Sequence, residues 1–472
     1  MAFPNSRSAL RKSSAFHVGR VHGYLRGRVW YLRYHEQGRR LQPRIGTDRD
    51  AARRLAADIN ARLEVGAASG LRFEPISIPQ LRDRWLNQHE HVRRSSVATI
   101  QRYRSATEHL LQFGHDVCSI RTAADFRPEH AEQFVEYLRR KQVAPNGHGN
   151  ARKRPLRDAG VRYILETCVS LFNYAQRQRH LPPYAENPFR TLEISRIPIE
   201  DARPITIFTV QQEVEFLQAC DDWQLPVFAT LLFTGMRPGE LVHLLLPEDL
   251  DLELGWIHIR NKPRLGWQVK TRNQRDIPLS PVLVSMLLWL LGDRRTGPVF
   301  CQRRCAAGYQ PPLVHMPSAS LEQELLRRIA DHKSEPPRKE RLRIARKMWR
   351  DLGALKEDWV RTEFMRVTAR MGLPKITAPK TLRHTFATML QDANVDPLVR
   401  NELMGHAPAS FGHHGAGLGM TAHYTHTRPE TKRRQFEQAV GIRPALEVAR
   451  RWLAARTSRP AVPSDAPAES GQ

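Results

Sequence analysis

The amino-acid sequence predicts a mainly α-helical protein with small β elements. A chain of 472 residues suggests about three domains at roughly 150 residues each. Apolar residues recur at helical spacing between residues 78 and 179, whereas strand-like runs are confined to residues 29–45 and 252–279. These observations predict a small N-terminal sheet with one helix, then a helical domain, then a larger mixed α/β domain with a three-stranded sheet.

The first predicted domain covers residues 1–66 and combines a sheet with a helix. Residues 29–34 and 41–45 are rich in strand formers, and Thr47 or Asp48 is placed to cap a helix over residues 49–63. The sheet region carries many arginines: Arg26, Arg28, Arg33, Arg39, Arg40 and Arg44. A β-ribbon fits the major groove of DNA, so this sheet could read DNA there. A basic surface without sequence specificity is the alternative.

Three further regions follow a linker that contains Gly66, Gly70 and Pro75. Residues 76–190 are predicted to form a helical bundle with a loop at residues 139–157. Residues 205–440 form the larger domain, with predicted strands at residues 254–259, 267–271 and 275–279 and an insertion at about residues 301–355. Residues 441–472 are expected to be a partly disordered tail, because residues 457–472 are rich in Pro, Ser and Ala.

The charge of the chain indicates a polyanionic partner. Lys and Arg number 74 against 48 Asp and Glu, which gives a formal net charge of +26. Such a field attracts nucleic acid, because neutralising phosphates releases condensed counterions. Charge alone does not separate a DNA-binding protein from one that binds RNA or ribosomes.

Cysteine usage and hydropathy limit the class of protein. The five cysteines, an odd number without framework spacing, fit a reducing cytosol rather than a disulfide scaffold. Cys301, Cys305 and His315 lack the second ligand pair that a zinc site needs, so no metal and no cofactor are predicted. No run of about 18 apolar residues occurs, so we expect no membrane span and a cytoplasmic protein.

An arginine between two helices is the first candidate for phosphate chemistry. Arg237 lies in the string TGMRPGEL, after an apolar run at residues 227–233. At such a turn the planar guanidinium can enter a cleft, where it suits two-pronged recognition of a phosphate. Glu240, three residues on, is placed to brace it. A plain surface arginine is the alternative.

A lysine at a predicted hairpin tip is the second candidate. Lys270 lies at the end of the predicted strand 267–271, just before the turn at Arg272 and Asn273. A mobile lysine there can deliver a proton to a leaving oxygen. A solvated lysine with no role is the alternative.

Two cations and a histidine follow. If a helix begins after Pro379, Lys380 and Arg383 lie at i and i+3 on one face. Neighbouring cations repel each other unless an anion bridges them, so this pair favours a phosphate site. The string LMGH then ends a helix at Gly405 and leaves His406 exposed at the turn.

A tyrosine near the C-terminal end supplies a hydroxyl. Of ten tyrosines, Tyr424 alone lies beyond residue 309, and its neighbours in residues 421–426 are mostly polar. These neighbours argue against a buried core tyrosine, whereas an activated phenol can act as a nucleophile.

Five strings in this order closely resemble the tyrosine recombinases, the phage integrase family: TGMRPGEL, VKTRNQRDIPL, KTLRHTFAT, LMGH and HYTH. The resemblance is strong over residues 205–440. Residues 78–190 look like the helical core-binding domain of that family, and residues 20–63 look like its small arm-type DNA-binding domain. Any one string is weak, but five in register are specific.

The resemblance implies a site-specific recombinase that cuts and rejoins double-stranded DNA through a 3′-phosphotyrosine, integrating or excising a mobile element. It assigns catalysis to Arg237, Lys270, Lys380, Arg383, His406 and the nucleophile Tyr424. It implies no cofactor or metal, a homo-tetramer on DNA, compatibility with accessory DNA-bending proteins, and a nucleoid-associated place in the cytoplasm. A catalytically impaired DNA-binding relative and a type IB topoisomerase-like enzyme remain alternatives.

Three features depart from the family pattern. Lys380 stands where the family usually has a histidine. The gap between His406 and Tyr424 is longer than usual and includes a Gly-rich stretch at residues 411–420. The insertion at residues 301–355 contains a segment, 338–350, with seven Lys or Arg and one Glu. This segment could make an extra contact with DNA or with a partner protein. The alternative is a charged helix that is exposed to solvent and binds nothing.

Overall fold

The computed structural model divides into two compact units, residues 1–203 and 204–472. It describes residues 14–36, 38–66, 73–118, 120–144, 150–182, 185–202, 204–406 and 427–457. Helices account for far more of this described chain than strands do. The prediction of a mainly α fold with small β elements is confirmed.

The N-terminal sheet has five strands where the sequence predicted two. They are β1 (Ala15–Val18), β2 (Val21–Arg26), β3 (Val29–Glu36), β4 (Arg39–Leu41) and β5 (Arg44–Gly46), in the order β1-β2-β3-β4 with β5 also pairing with β3. The first two strands were missed because β2 contains Gly23, which weakens a strand signal. A Cβ at Gly23 would lie 2.2 Å from the Phe16 ring, so the glycine makes room for that side chain.

One helix covers this sheet. Helix α1 (Arg49–Glu64) begins after Asp48, whose carboxylate accepts hydrogen bonds from the backbone amides of Asp50 and Ala51. Asp48 rather than Thr47 is therefore the cap, because it satisfies two of the free amides in the first turn. The apolar face of α1 packs on Trp30 and its neighbours in a small separate core.

The rest of the first unit is a helical bundle. Its helices are α2 (Ile78–Asn87), α3 (Val97–Phe113), α4 (Pro128–Arg140) and α5 (Asp158–Arg177). The largest side chains of the core are Trp85, Phe113, Phe134, Phe172 and Phe189. A short hairpin, β6 (Gln142–Val143) with β7 (Arg154–Pro155), lies where the sequence predicted only a loop.

The second unit is built from helices around short strands. Its helices are α6 (Val210–Gln218), α7 (Gln224–Thr234), α8 (Pro238–Leu241), α9 (Pro281–Leu291), α10 (Arg303–Ala306), α11 (Ser318–Ala330), α12 (Arg338–Asp351), α13 (Glu357–Arg370), α14 (Lys380–Asp392), α15 (Pro397–Met404), α16 (Pro429–Val440) and α17 (Ala445–Thr457). Its strands are β8 (Leu245–Leu246), β9 (Leu250–Asp251), β10 (Trp256–Ile259), β11 (Arg275–Pro278) and β12 (Gly297–Pro298). One large core joins α6, α7, α9, α13, α14, α16 and α17.

The three-stranded sheet has a different third strand from the one predicted. Its order is β11-β10-β9, and residues 267–271 are not a strand. Lys262 and Trp267 instead exchange two backbone hydrogen bonds of 3.0 Å across a tight turn, and the Asn261 side chain accepts from the amide of Val269 at 2.9 Å. Gly266 adopts φ +72° in that turn. Because these bonds satisfy the backbone locally, the segment does not pair as a sheet strand.

The inserted segment folds as a small helical layer with its own core. Helices α11 and α12 pack together, with Leu321, Leu325 and Met348 buried between them. Leu245 and Leu265 of the larger domain belong to the same cluster. The segment is therefore fixed to the domain by apolar contact.

The compact unit extends past residue 440, where the sequence ended the larger domain. Helix α17 packs Leu446 and Trp452 into the main core, and the Trp452 indole donates to Asp222 at 3.2 Å. The expected tail therefore begins with a packed helix, because its apolar residues recur at helical spacing. Residues 458–472 lie outside the described part of the chain.

Neither a membrane span nor a cluster of metal ligands is found in the described residues. No helix there combines the length and apolar character needed to cross a bilayer. Within the same residues, no three His, Cys, Asp or Glu side chains are grouped to hold a metal ion. Cys301 and Cys305 are free thiols.

Candidate active site

Arg237 is positioned by the junction of two helices. Helix α7 is buried along its whole length and ends at Gly235, which adopts φ +60°. A Cβ at Gly235 would lie 2.1 Å from the Phe386 ring, so only glycine allows this close turn. Pro238 then starts α8, and Arg237 takes the extended conformation just before it. The side chain of Arg237 is 23% exposed, which leaves its guanidinium accessible from one side.

Glu240 holds two arginines in place. Its carboxylate accepts from the backbone amide and Nη1 of Arg237, both at 2.8 Å, and from Nη1 and Nη2 of Arg275 at 3.1 and 2.6 Å. Burial raises the pKa of Glu240, but the hydrogen bonds and charges of Arg275 and Arg237 outweigh burial and bring it below its usual value. The predicted brace between Glu240 and Arg237 is therefore present in the fold.

Arg275 is a residue of this cluster that the sequence analysis missed. Its side chain is 3% exposed, and its Nε donates to the carbonyl of Leu403 at 2.8 Å. A signal was available, because Arg275, Ile277 and Leu279 alternate along one predicted strand. An arginine on the same face as two apolar residues must be buried, and a buried arginine needs a carboxylate partner.

Arg383 lies between the α7–α8 turn and the end of α15. Its Nη1 donates to the carbonyl of Gly235 at 2.6 Å, and its Nη2 donates to the carbonyl of Met404. Burial and the nearby charge of Arg237 lower the pKa of Arg383 to about 10, with Glu240 opposing that shift. Since this value is still well above neutral pH, Arg383 keeps its charge.

His406 follows a turn that only glycine fits. Helix α15 ends at Gly405, which adopts φ +63°, and a Cβ there would lie 2.7 Å from Nη1 of Arg275. The Nε2 atom of His406 lies 3.5 Å from Nη2 of Arg383. Burial and the charges of Arg383, Arg237 and Arg275 lower the pKa of His406 from its usual value. These effects favour the neutral imidazole, which is the form that can accept a proton.

The two predicted lysines have exposed side chains. Lys380 is the first residue of α14, one turn before Arg383, and its charge helps to lower the pKa of His384, although burial is the larger cause. Lys270 lies in the loop before β11, and the neighbouring Thr271 hydroxyl donates to the carbonyl of Gly405 at 3.3 Å.

Arg237, Arg383 and His406 are thus brought together, and Tyr424 lies outside the described residues. Residues 407–426 are not described. The described chain resumes at Thr427, whose hydroxyl donates to Glu402 of α15 at 3.0 Å. Helix α15 therefore anchors the chain on both sides of that gap.

Comparison with known proteins identifies the second unit. The family model described as the phage integrase family matches residues 207–431. The matched residues all lie within the second unit, 204–472. The resemblance to tyrosine recombinases that the five motifs predicted is confirmed, and the matched segment contains all six predicted site residues.

Individual relatives of this chain are distant. The tyrosine recombinase XerC of Oceanobacillus iheyensis is 23% identical over 279 residues, which cover 58% of this chain and 71% of the relative. The Tn1549 transposon integrase in complex with a circular intermediate DNA is 17% identical, with a TM-score of 0.44 over 77% of this chain and 99% of that one. A lambda integrase tetramer bound to a Holliday junction is 14% identical, with a TM-score of 0.45 over 83% and 98%.

Proposed function

We propose that this chain is a site-specific DNA recombinase that breaks and rejoins duplex DNA through a 3′-phosphotyrosine at Tyr424. The observation that supports the proposal is the convergence of Arg237, Arg383 and His406, which come from separate segments. The Glu240–Arg275 ion pair supports this group, because Glu240 accepts hydrogen bonds from Arg237 and Arg275 donates one to the carbonyl of Leu403. Two charged guanidiniums beside a neutral imidazole suit a reaction at a phosphodiester, because they combine anion binding with a proton acceptor.

The arginines would make the phosphorus attackable. A phosphodiester resists nucleophiles because it is negatively charged and its alkoxide leaving group is poor. Arg237 and Arg383 would bind the two non-bridging oxygens and stabilise the added charge of a pentacoordinate phosphorane, with Lys380 as a further donor. Removing one such donor is expected to lower the rate by a factor on the order of 10²–10³.

The remaining groups would move protons. The phenol oxygen of Tyr424 forms the new bond to phosphorus, and the bond from phosphorus to the 5′-oxygen breaks. His406 accepts the phenol proton, since its lowered pKa keeps the imidazole in the neutral form that can act as a base. Lys270 gives a proton to the departing 5′-oxygen. The phosphotyrosine keeps the bond energy, so religation by a 5′-hydroxyl needs no nucleotide cofactor.

Recombination adds an assembly requirement to this chemistry. We propose that four protomers act on two duplexes and exchange strands through a Holliday junction, integrating or excising a mobile element in the cytoplasm of the host, at the nucleoid. Accessory DNA-bending proteins are compatible with this scheme. The net charge of +26 supports a DNA partner, because each neutralised phosphate adds to affinity.

Trapping on nicked DNA tests the chemistry. A nicked suicide duplex loses its 5′-hydroxyl fragment after cleavage, so a covalent protein–DNA adduct accumulates and survives SDS. We expect an adduct with the natural chain and with Tyr309→Phe, since Tyr309 is an exposed tyrosine that stacks on Arg304 outside the site. We expect none with Tyr424→Phe. An adduct that persists in Tyr424→Phe would refute the assignment of the nucleophile.

A catalytically impaired DNA-binding relative is the second candidate, because Lys380 replaces the usual histidine. It predicts binding of the same duplexes without any adduct. Plasmid relaxation distinguishes the topoisomerase-like alternative, which would relax a supercoiled plasmid without joining two sites.

A further inference from the structure

Helix α12 of the inserted segment is fixed beside the loop that carries Lys270. The Trp349 indole donates to the carbonyl of Leu265 at 2.9 Å. A Cβ at Gly266 would lie 2.5 Å from the Cβ of Ala345, so the helix and the loop are in close contact. The Trp349 ring also meets the ring of His243, just after α8, with centroids 4.7 Å apart. The position of α12 is therefore tied to α8, which begins just after Arg237.

A row of cations runs along the outer face of this helix. Its members, here called the basic stripe, are Lys339, Arg343, Arg346 and Arg350, and all four are exposed. Their intervals of four, three and four residues place them on one side of the helix. The buried residues of α12 lie on the opposite side: Ile344, Ala345, Met348 and Trp349. At 1.5 Å per residue the stripe is about 16 Å long.

The stripe keeps an uncompensated positive charge. Arg343 pairs with Glu340 at 2.6 Å, and Arg350 contacts Asp351 at 3.2 Å. Within the described residues, no ion pair is found for Lys339 or Arg346. Cationic side chains without an ion-pair partner attract an added anion more strongly than side chains that are already paired.

The stripe approaches the candidate active site near Glu357. Burial and the neighbouring Asp358 raise the pKa of Glu357, and the charges of Arg346 and Lys270 both oppose that shift. The same Glu357 carboxylate lies 3.3 Å from a Cβ built on Gly239 in α8. The charges of Arg346 and Lys270 therefore both act on one carboxylate at the edge of the site, although no ion pair joins either of them to it among the described residues.

We propose that the basic stripe binds the phosphate backbone of duplex DNA next to the phosphodiester that is cleaved, on the side of Lys270. A length of about 16 Å corresponds to roughly five base-pair rises of 3.4 Å. The contact is independent of sequence, because exposed Lys and Arg side chains on this face meet phosphates rather than base edges. The proposal rests on the proposed recombinase function and adds a second DNA contact made by the inserted segment.

The salt dependence of DNA binding tests the stripe. The stripe variant carries Lys339→Gln, Arg343→Gln, Arg346→Gln and Arg350→Gln. The control variant carries Arg295→Gln, Arg361→Gln, Arg450→Gln and Arg451→Gln. Both lose four exposed cations of the second unit, and in each set two members are ion-paired, Arg450 and Arg451 with Glu447 in the control. Binding of the full chain to a labelled random-sequence duplex of about 40 base pairs is followed by anisotropy between ~50 and 200 mM KCl.

We expect the stripe variant to lose at least two phosphate contacts, since two of its cations are unpaired. The slope of log Kobs against log salt should then become shallower by about 1.8, at roughly 0.9 per contact, while the control variant keeps most of the slope. Lys339→Gln/Arg346→Gln alone should give the same change if the larger variant folds poorly. An unchanged slope in the stripe variant, or an equal change in both variants, would overturn the proposal.

Failure of the stripe is separable from failure of the recombinase proposal. A normal adduct at Tyr424 with an unchanged salt slope would reject only the stripe. A shallower slope without any adduct would keep the stripe as a DNA contact and reject the recombinase chemistry.

Discussion

Replacing Glu240 with glutamine tests the charge balance of the site most directly. Glu240 is 2% exposed and accepts hydrogen bonds from both Arg237 and Arg275. Glutamine has nearly the same shape but no charge, and its amide nitrogen would point hydrogens at one of the guanidiniums. The change therefore removes the negative charge and leaves the packing almost unaltered.

The expected loss of stability in Glu240→Gln follows from the burial of Arg275. Its side chain is 3% exposed, so its charge stays out of water after the carboxylate is gone. Removing one partner of a buried ion pair typically costs about 3–5 kcal/mol, because the other charge is left uncompensated. We expect Glu240→Gln to lower the free energy of unfolding of the second unit by that amount.

Urea unfolding followed by tryptophan fluorescence measures this loss. Seven of the nine tryptophans lie after residue 203, so the signal reports mainly on the second unit. Glu447→Gln is the matched control, since it removes a carboxylate that pairs with the exposed Arg450 and Arg451. Exposed pairs contribute less than about 1 kcal/mol, so the control should unfold almost as the natural chain does.

A double variant separates the ion pair from other effects. If Glu240 and Arg275 stabilise each other, Glu240→Gln/Arg275→Gln should lose clearly less than the sum of the two single changes. Strict additivity, or a loss below about 1 kcal/mol for Glu240→Gln, would refute the reasoning that this carboxylate neutralises buried cations.

Four further outcomes are expected. Arg237→Ala and Arg383→Ala should each bind DNA yet form the SDS-stable adduct more slowly, by a factor on the order of 10²–10³; cleavage at the natural rate by either would remove it from the phosphate clamp. Lys380→His should keep or raise adduct formation, whereas complete loss would show that this position is not equivalent to the family's histidine. Because burial and nearby cations lower the pKa of His406, the rate at limiting DNA should fall with acid only below the pH range in which an ordinary histidine titrates, and His406→Ala should flatten that limb. Gly405→Ala should lower the melting temperature, since φ +63° and contact with Arg275 both oppose a Cβ; an unchanged melting temperature would contradict this.

The short-range pattern of the chain predicted many elements correctly. Helices α2, α3, α4 and α5 lie where apolar residues recur at helical spacing, and α1 begins at one of its two predicted caps. These features depend on neighbours within a few residues, which a sequence displays directly.

Predictions failed where distant contacts decide the backbone. Residues 267–271 contain strand formers, yet Gly266 and the Asn261 side chain fold them into a turn against α12. The strand at Ala15–Val18 was missed together with its partner β2, which carries Gly23. Only the structure shows that this glycine makes room for the Phe16 ring. Propensity is a weak prior, and tertiary packing overrode it at both places.

The sequence by itself predicted the chemistry that we propose for this protein. The order of its motifs named Arg237, Arg383 and His406 as members of one site, and its composition named a polyanion as the partner. Only the tertiary structure decided how the three arginines Arg237, Arg275 and Arg383 share that site. Glu240 and Arg275 are 35 residues apart in the chain, yet they meet behind Arg237 at hydrogen-bonding distance. Burial requires this pairing, because a charge that is removed from water is costly unless an opposite charge lies beside it. Which residue supplies that opposite charge depends on the tertiary fold.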